Sequence, residues 1–304
     1  MSERRHLITI GDLAVADVER LLDGAEGCAE GEVDGALAGT TVVNLFYESS
    51  TRTSSSFELA ARRLGASVLT IRSTGSSVDK GESLKDTVLT LSAYDPDVVV
   101  VRHPHAGSPE VVARHTGAHV VNAGDGKRAH PTQALLDLLT LRIEFGRLEG
   151  LHVAIVGDVL HSRVARSLVQ ALALVGARAT LVGPPTLVPE GLGAPVSHDL
   201  AALADADVVY VLRMQRERMA AGAAFLPSLR EYTARWGITP ERLRPGQRVM
   251  HPGPMNRGVE LDPRVADSPA SLVVDQVRAG LAVRMAVLHD LVAAPVTRRP
   301  LEVA

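Results

Sequence analysis

Small hydroxyl residues crowd around one arginine in Ser49-Ser-Thr-Arg-Thr-Ser-Ser-Ser56. The apolar, β-branched run Thr41 to Phe46 precedes them, and Phe57, Ala60, Ala61 and Leu64 follow at helical spacing until Gly65. A buried strand, a turn and a helix are therefore expected, with Ser50, Thr51, Arg52 and Thr53 at the helix start. Free backbone N–H groups and the positive helix end favour an anion there, hydroxyls donate to it, and a guanidinium grips two oxygens at once. A dianionic phosphate suits that set. The plainer reading is a Ser/Thr helix cap beside an exposed arginine. The run has neither the GxxxxGK[ST] of a Walker loop nor the GxGxxG of dinucleotide binders, so nucleotide is not the first expectation.

Further groups lie downstream. Ser73 to Ser83 holds Ser76 and Lys80 in a polar, glycine-containing loop suited to delivering an ammonium to a ligand. Arg102 ends the apolar run Val98 to Val101, where a second cation would help neutralise phosphate and an adjacent carbonyl. His103 and His105 form an HxH pair without the carboxylates or thiolates of a metal site, and surface histidines are expected; His115 and His119 receive no role. Gly124 to Gln133 reads as a turn entering a helix, with Pro131 in its first turn and His130 and Gln133 aimed at a cleft between domains. A histidine beside a positive helix end resists protonation and can donate to a carbonyl as a neutral imidazole.

The second half repeats the theme. Val156-Gly157-Asp158 leads through Arg163 into a helix, with too few glycines for a dinucleotide turn. Arg213 and Gln215 follow another strand, where they would clamp a carboxylate. Met250 to Glu260 contains His251-Pro-Gly253-Pro254, a turn whose prolines leave backbone carbonyls free to accept from an amine.

These residues need a scaffold of strands alternating with helices. Strands are expected at Thr41 to Phe46, Ser67 to Ile71, Val98 to Val101 and His119 to Asn122. The second set is Leu151 to Val156, Ala179 to Val182, Val208 to Val211 and Val249 to Met250. Long helices are expected at Pro131 to Phe145 and Val274 to Val292, and a surface loop at Gly183 to Pro195. The fold class is α/β: two doubly wound parallel-sheet domains joined by two long interdomain helices. The expected domains are 1–132 with a C-terminal helix over about 275–304, and 133–274. Ligands of such sheets lie beyond the carboxyl ends of the strands.

Composition narrows the class. The 304 residues, 46% of them hydrophobic, suit two cores, and the charge of -3 gives no general attraction to nucleic acid or anionic membrane. One cysteine, Cys28, excludes an intramolecular disulfide framework, and 3% aromatic content disfavours base stacking. With no apolar signal core at the N-terminus and no run of spanning length, cytoplasm is the expected location.

The pattern F-x-E-x-S-T-R-T-x-x-S-F-E over Phe46 to Glu58 resembles the carbamoyl-phosphate signature of the transcarbamoylases. Glu48 matches the aspartate branch, where the ornithine branch usually carries lysine. His130-Pro-Thr-Gln133 resembles the family motif for the carbamoyl oxygen and amide. His251-Pro-Gly-Pro254 is similar to the aspartate branch's H-P-x-P rather than the ornithine branch's H-C-L-P. Gly253 stands where some members carry leucine, and Ser54-Ser55 where Arg-Leu is frequent; these departures concern affinity and subunit contacts.

The resemblance implies carbamoyl transfer from carbamoyl phosphate to L-aspartate, the committed step of pyrimidine synthesis, without metal or cofactor. It implies Ser50, Thr51, Arg52, Thr53, Arg102, His130 and Gln133 on carbamoyl phosphate, with Ser76 and Lys80 from an adjacent subunit of a homotrimer. Arg163, Arg213, Gln215, Gly253, Pro254 and Lys80 fall to aspartate, and Thr53, Lys80, Arg102 and His130 to catalysis. The first domain would bind carbamoyl phosphate and the second aspartate. Assembly with regulatory chains or a dihydroorotase stays open. The alternatives are an ornithine-type transcarbamoylase and a non-catalytic scaffold subunit of a pyrimidine-pathway complex.

Overall fold

The computed structural model describes residues 5–31, 35–72, 81–215 and 228–293. The chain divides into two compact units, Met1–Leu136 with Ala279–Ala304, and Asp137–Arg278. Each is an α/β unit built on a parallel sheet.

Unit 1 begins with α1 (Val15–Glu30) and continues through β1 (Thr41–Phe46), α2 (Thr51–Arg63) and β2 (Ser67–Arg72). Then come α3 (Leu84–Ser92), β3 (Val98–His103), α4 (Ser108–His115), β4 (His119–Asp125) and the start of α5 (Pro131–Phe145). Among the described residues its sheet has the order β2-β1-β3-β4. From β1 the chain moves outward to β2 and then returns to the other side of β1 with β3, so the order reverses between β1 and β3. Such a reversal opens a crevice at the carboxyl ends of the two strands. The central strands read as near-continuous apolar runs because helices cover both faces. Val43 and Leu45 of β1 pack with Val99 and Val101 of β3 and Val120 of β4 on one face. Edge strand β2 instead has only exposed and half-buried residues, with Leu69 40% exposed.

Unit 2 continues from α5 with β5 (His152–Val156), α6 (Arg163–Leu174), β6 (Arg178–Val182), β7 (Val196–Ser197) and β8 (Val208–Val211). It then adds α7 (Leu229–Trp236), β9 (Arg248–Met250), α8 (Pro263–Ala266) and the start of α9 (Val273–Ala293). The sheet order is β7-β6-β5-β8-β9, which reverses between β5 and β8. Ala154, Val156, Val182, Val209, Val211 and Val249 form one face of its core, closed by Ile238, Leu261 and Val265. The units part within α5 and within α9. Among the described residues, no helix is long and apolar enough to cross a membrane.

Several local expectations change. Strand β3 runs on through Arg102 and His103, and β4 through Asp125, because backbone pairing with neighbouring strands continues past the apolar residues. Short strand β7, absent from the sequence reading, pairs with Leu181 and Val182. The Gly183 to Pro195 segment is irregular but not wholly a surface loop, since Leu187 and Val188 are buried. Leu187 packs with Met214 and Tyr232.

Candidate functional site

In unit 1 the Ser50–Thr53 helix start follows β1 and Arg102 lies near the end of β3, the two strands that flank the sheet reversal. Ser50 is the N-cap of α2, and Thr51, Arg52 and Thr53 form its first turn; Thr51 and Arg52 are exposed and Thr53 is buried. Thr53 shares its buried face with Phe57, Ala60 and Ala61, which fix the helix against the sheet. Were this only a cap, the Ser50 hydroxyl would accept a backbone N–H of the first turn. Ser83, Ser162 and Ser228 do so at α3, α6 and α7, whereas Ser50 does not.

Arg102 lies opposite Phe46 on the adjoining strand. Its Nη1 donates to the Ala123 carbonyl at 3.0 Å and its Nη2 to Glu48 Oε1 at 3.4 Å. The guanidinium thus stands beside the phosphate-type turn, aimed by one backbone bond and one carboxylate. A charge-assisted pair with only 11% of the arginine side chain exposed is far less screened than a surface ion pair. An arriving anion competes with Glu48 for it.

His130 immediately precedes α5 and Gln133 is in its first turn, both buried, with the Gln133 N–H bonded to the His130 carbonyl at 3.0 Å. The turn before them is fastened by Asp125. Its Oδ1 accepts from Asn122 Nδ2 at 2.9 Å and from the Ala129 N–H at 3.1 Å, and its Oδ2 from the Gly107 N–H at 2.9 Å. At Gly126, φ is +48°, and a Cβ would lie 2.8 Å from the Ala106 nitrogen, so no larger residue fits this turn.

His103 is not the surface histidine expected. It is 8% exposed, its ring lies 4.7 Å from that of Tyr47, and its Nδ1 accepts the His105 N–H at 3.0 Å. Burial, with neighbouring His105, pushes its pKa down to about 4. His119 is buried too, hydrogen-bonded through Nδ1 to the Arg5 carbonyl at 2.7 Å. A depressed histidine pKa means the unfolded chain takes up the proton first, so His103 adds stability above pH 6.5 that is lost as pH falls toward 4. Over that window wild type is expected to lose about 3 kcal/mol more than His103→Asn, which keeps an acceptor for His105 but cannot titrate. Parallel pH-dependent denaturation curves for the two proteins would refute this.

In unit 2, Arg163 opens α6, 3% exposed, with the Ser162 hydroxyl capping the helix through the Ala165 N–H at 3.1 Å. A buried guanidinium at the positive end of a helix is a strong carboxylate site. Arg213 and Gln215 follow β8, half-buried, while Met214 between them anchors the segment in the core. Gly253 and Pro254 follow β9 and share a cis peptide bond. Strands β5 and β8 flank the reversal and β9 adjoins β8, so all three segments lie at the carboxyl ends of neighbouring strands.

One residue without an expected role ties two of these segments together. The buried Asp158 carboxylate accepts the Gln215 N–H at 3.2 Å and the His161 N–H at 3.2 Å, and meets His161 Nδ1 at 2.8 Å. Burial raises the Tyr232 phenol well above its ordinary value, helped by the nearby Glu260 and Asp158 carboxylates. Gly157 brings that phenol close: its φ is +118°, and a Cβ there would lie 2.8 Å from the hydroxyl. Ser76 and Lys80 lie outside the described residues.

Unit 1 thus sets a hydroxyl-rich helix start beside an arginine at its sheet reversal, and unit 2 sets Arg163 and Arg213 after the strands that flank its own. The pattern of the aspartate/ornithine carbamoyltransferase carbamoyl-P binding domain matches residues 5–143, and that of the Asp/Orn binding domain matches residues 149–291. The chain belongs to the aspartate/ornithine carbamoyltransferase family. It is 55% identical over 301 residues to the aspartate carbamoyltransferase catalytic subunit of Sorangium cellulosum, covering 95% of this chain and 93% of that one. It is 54% identical over 302 residues to the subunit of the same name from Salinispora arenicola, covering 94% and 97%. Its fold is similar to a Trypanosoma cruzi aspartate transcarbamoylase solved with carbamoyl phosphate and aspartate, at TM-score 0.85 and 32% identity, covering 94% of this chain and 96% of that one.

Proposed function

We propose that the chain is the catalytic chain of an aspartate carbamoyltransferase, which moves the carbamoyl group of carbamoyl phosphate to the amine of L-aspartate in pyrimidine biosynthesis. What carries the reading is the pairing of an uncapped Ser50–Thr53 helix start beside Arg102 with two arginines, Arg163 and Arg213, after the strands that flank the second sheet's reversal.

Carbamoyl phosphate binds through its phosphate to Ser50, Thr51, Arg52, Thr53 and Arg102, and through its carbamoyl group to His130 and Gln133. Arg163 takes one aspartate carboxylate and Arg213 with Gln215 the other, while the Gly253–Pro254 turn accepts from the amine. The neutral amine attacks the carbamoyl carbon, and Thr53, Arg102 and His130 stabilise the oxyanion. The bond from carbon to the phosphate oxygen then breaks, and the departing phosphate takes the amine proton. Orientation and preorganised charge supply the rate. The first unit is the carbamoyl-phosphate domain and the second the aspartate domain.

The reading includes a cytoplasmic homotrimer in which Ser76 and Lys80 enter the site of the neighbouring subunit. Mixing inactive Arg52→Ala and Lys80→Ala chains under subunit exchange is expected to restore part of the activity, because some interfaces then combine two intact halves. Verified exchange without recovery would remove shared sites from the proposal. For the reaction itself, purified protein is expected to form carbamoyl aspartate and phosphate and to leave ornithine untouched. Carbamoylation of ornithine instead would overturn the specificity, and no turnover with a stable partner complex would favour the scaffold.

A further inference from the structure

Residues that no part of this reaction uses form a buried hydrogen-bond chain behind the Gly253–Pro254 turn. It starts at Asp137 of α5, fully buried, whose Oδ2 accepts from the Tyr210 hydroxyl at 2.7 Å and whose Oδ1 accepts from Gln276 Nε2 at 2.7 Å. Gln276 of α9, 3% exposed, passes the link on: its Oε1 accepts the His251 N–H at 2.9 Å. His251 Nδ1 then accepts the Gly253 N–H at 2.8 Å, and Nε2 faces Glu260 Oε1 at 3.3 Å. The same Glu260 oxygen accepts the Asn256 N–H at 2.5 Å.

Donor and acceptor roles in this chain leave little choice. A backbone N–H can only donate, so Nδ1 of His251 carries no proton and Nε2 carries it toward Glu260. Asp137 accepts from the Gln276 amide nitrogen, so its oxygen is the atom turned to His251. The tautomer of His251 and the orientation of Gln276 are both set by their neighbours, as in sites where buried partners orient a working group. The loop from His251 to Glu260 is thereby tied at both ends: Glu260 holds His251 and Asn256, and His251 holds Gly253.

We propose that Asp137, Gln276 and Glu260 are positioning residues for the acceptor amine: they hold His251 as its Nε2–H tautomer, and His251 fixes the Gly253–Pro254 turn. The inference rests on the proposed reaction, in which that turn meets the aspartate amine. Tyr210, which donates to Asp137, lies three residues before Arg213, so the same hydrogen bonds reach the strand that leads to a proposed carboxylate ligand.

Steady-state kinetics of His251→Asn and His251→Gln separate positioning from mere support of the fold. An Asn oxygen replaces Nδ1 and still accepts from Gly253, whereas a Gln reaches toward the Nε2 position and leaves Gly253 without its acceptor. The Asn variant is expected within about threefold of wild type in aspartate KM, and the Gln variant to raise it about tenfold or more. Inorganic phosphate binding, followed by calorimetry, should be unchanged in both, because the phosphate groups lie in the other unit. Gln276→Met, which removes the acceptor for the His251 N–H at similar volume, should raise aspartate KM about fivefold and serves if His251→Gln does not fold. An unchanged aspartate KM in the folded variants, or equal effects of Asn and Gln, would overturn the inference. Wild-type protein in the same assay reports separately on the reaction: if it does not carbamoylate aspartate, the proposed function fails first.

Discussion

Arg102→Met is expected to lower kcat about a thousandfold, with a much smaller change in carbamoyl phosphate KM. The guanidinium is already aimed before any ligand arrives, by the Ala123 carbonyl at 3.0 Å and Glu48 at 3.4 Å, so little reorganisation remains when charge develops on the carbamoyl oxygen. Its proposed contacts are to the oxyanion and to the phosphate oxygen that gains charge as the bond breaks, both stronger in the transition state than in the ground state. A thousandfold is about 4 kcal/mol of barrier. The variant also gives up the Ala123 hydrogen bond and the Glu48 ion pair, so thermal melts run beside the kinetics separate a loss of folded protein from a lowered kcat of the folded enzyme. Arg102→Lys keeps the charge but not the planar fork and should recover only part of the rate. Stopped assays with saturating aspartate would measure both. If kcat stays within about tenfold of wild type while carbamoyl phosphate KM rises steeply, Arg102 binds the ground state and the oxyanion belongs to Thr53 and His130.

Where the sequence was legible, one segment carried the whole signal. Thr41–Phe46 and Pro131–Phe145 have the bounds expected from their patterns, because each is an apolar run with its own start and stop residues. Strand β3 was read short because Arg102 and His103 are polar, yet polar residues at the carboxyl ends of parallel strands are what a site of this fold requires. Burial of His103 depends on Tyr47, which reaches it from a different strand connection. Asp158 was visible only as the residue after a glycine; its acceptance of the Gln215 N–H spans 57 positions. Asp137 and Gln276, 139 positions apart, are a polar residue in each of two largely apolar helices until the fold joins them. Local pattern therefore places the candidate residues on their strand ends and helix starts, whereas the buried hydrogen bonds of Asp158, Asp137 and Gln276 join distant segments and come only with tertiary contacts.

Arg213→Met is expected to raise aspartate KM about a hundredfold, and the same change at Arg163 to do likewise, while carbamoyl phosphate KM moves less than about threefold in either. Each guanidinium would face one carboxylate of a dicarboxylate, and losing a charge-assisted, two-point contact in a partly buried site costs about 3 kcal/mol. Arg163 is 3% exposed and half-buried Arg213 adjoins the buried Met214, so water compensates poorly at either position. Asparagine as competing acceptor then identifies the partners. It keeps the α-carboxylate of aspartate and loses the side-chain one, so the arginine that holds the side-chain carboxylate is the one whose removal erases the preference for aspartate over asparagine. One of the two variants should lose that preference and the other should keep it, since the second still has its side-chain partner intact. A preference retained in both would place the side-chain carboxylate on some other cation and leave the paired-arginine arrangement without support. Neither variant is expected to accept ornithine, because deleting a cation from this site supplies no carboxylate for the ornithine side-chain ammonium, and an unpaired buried charge is costlier than an empty contact.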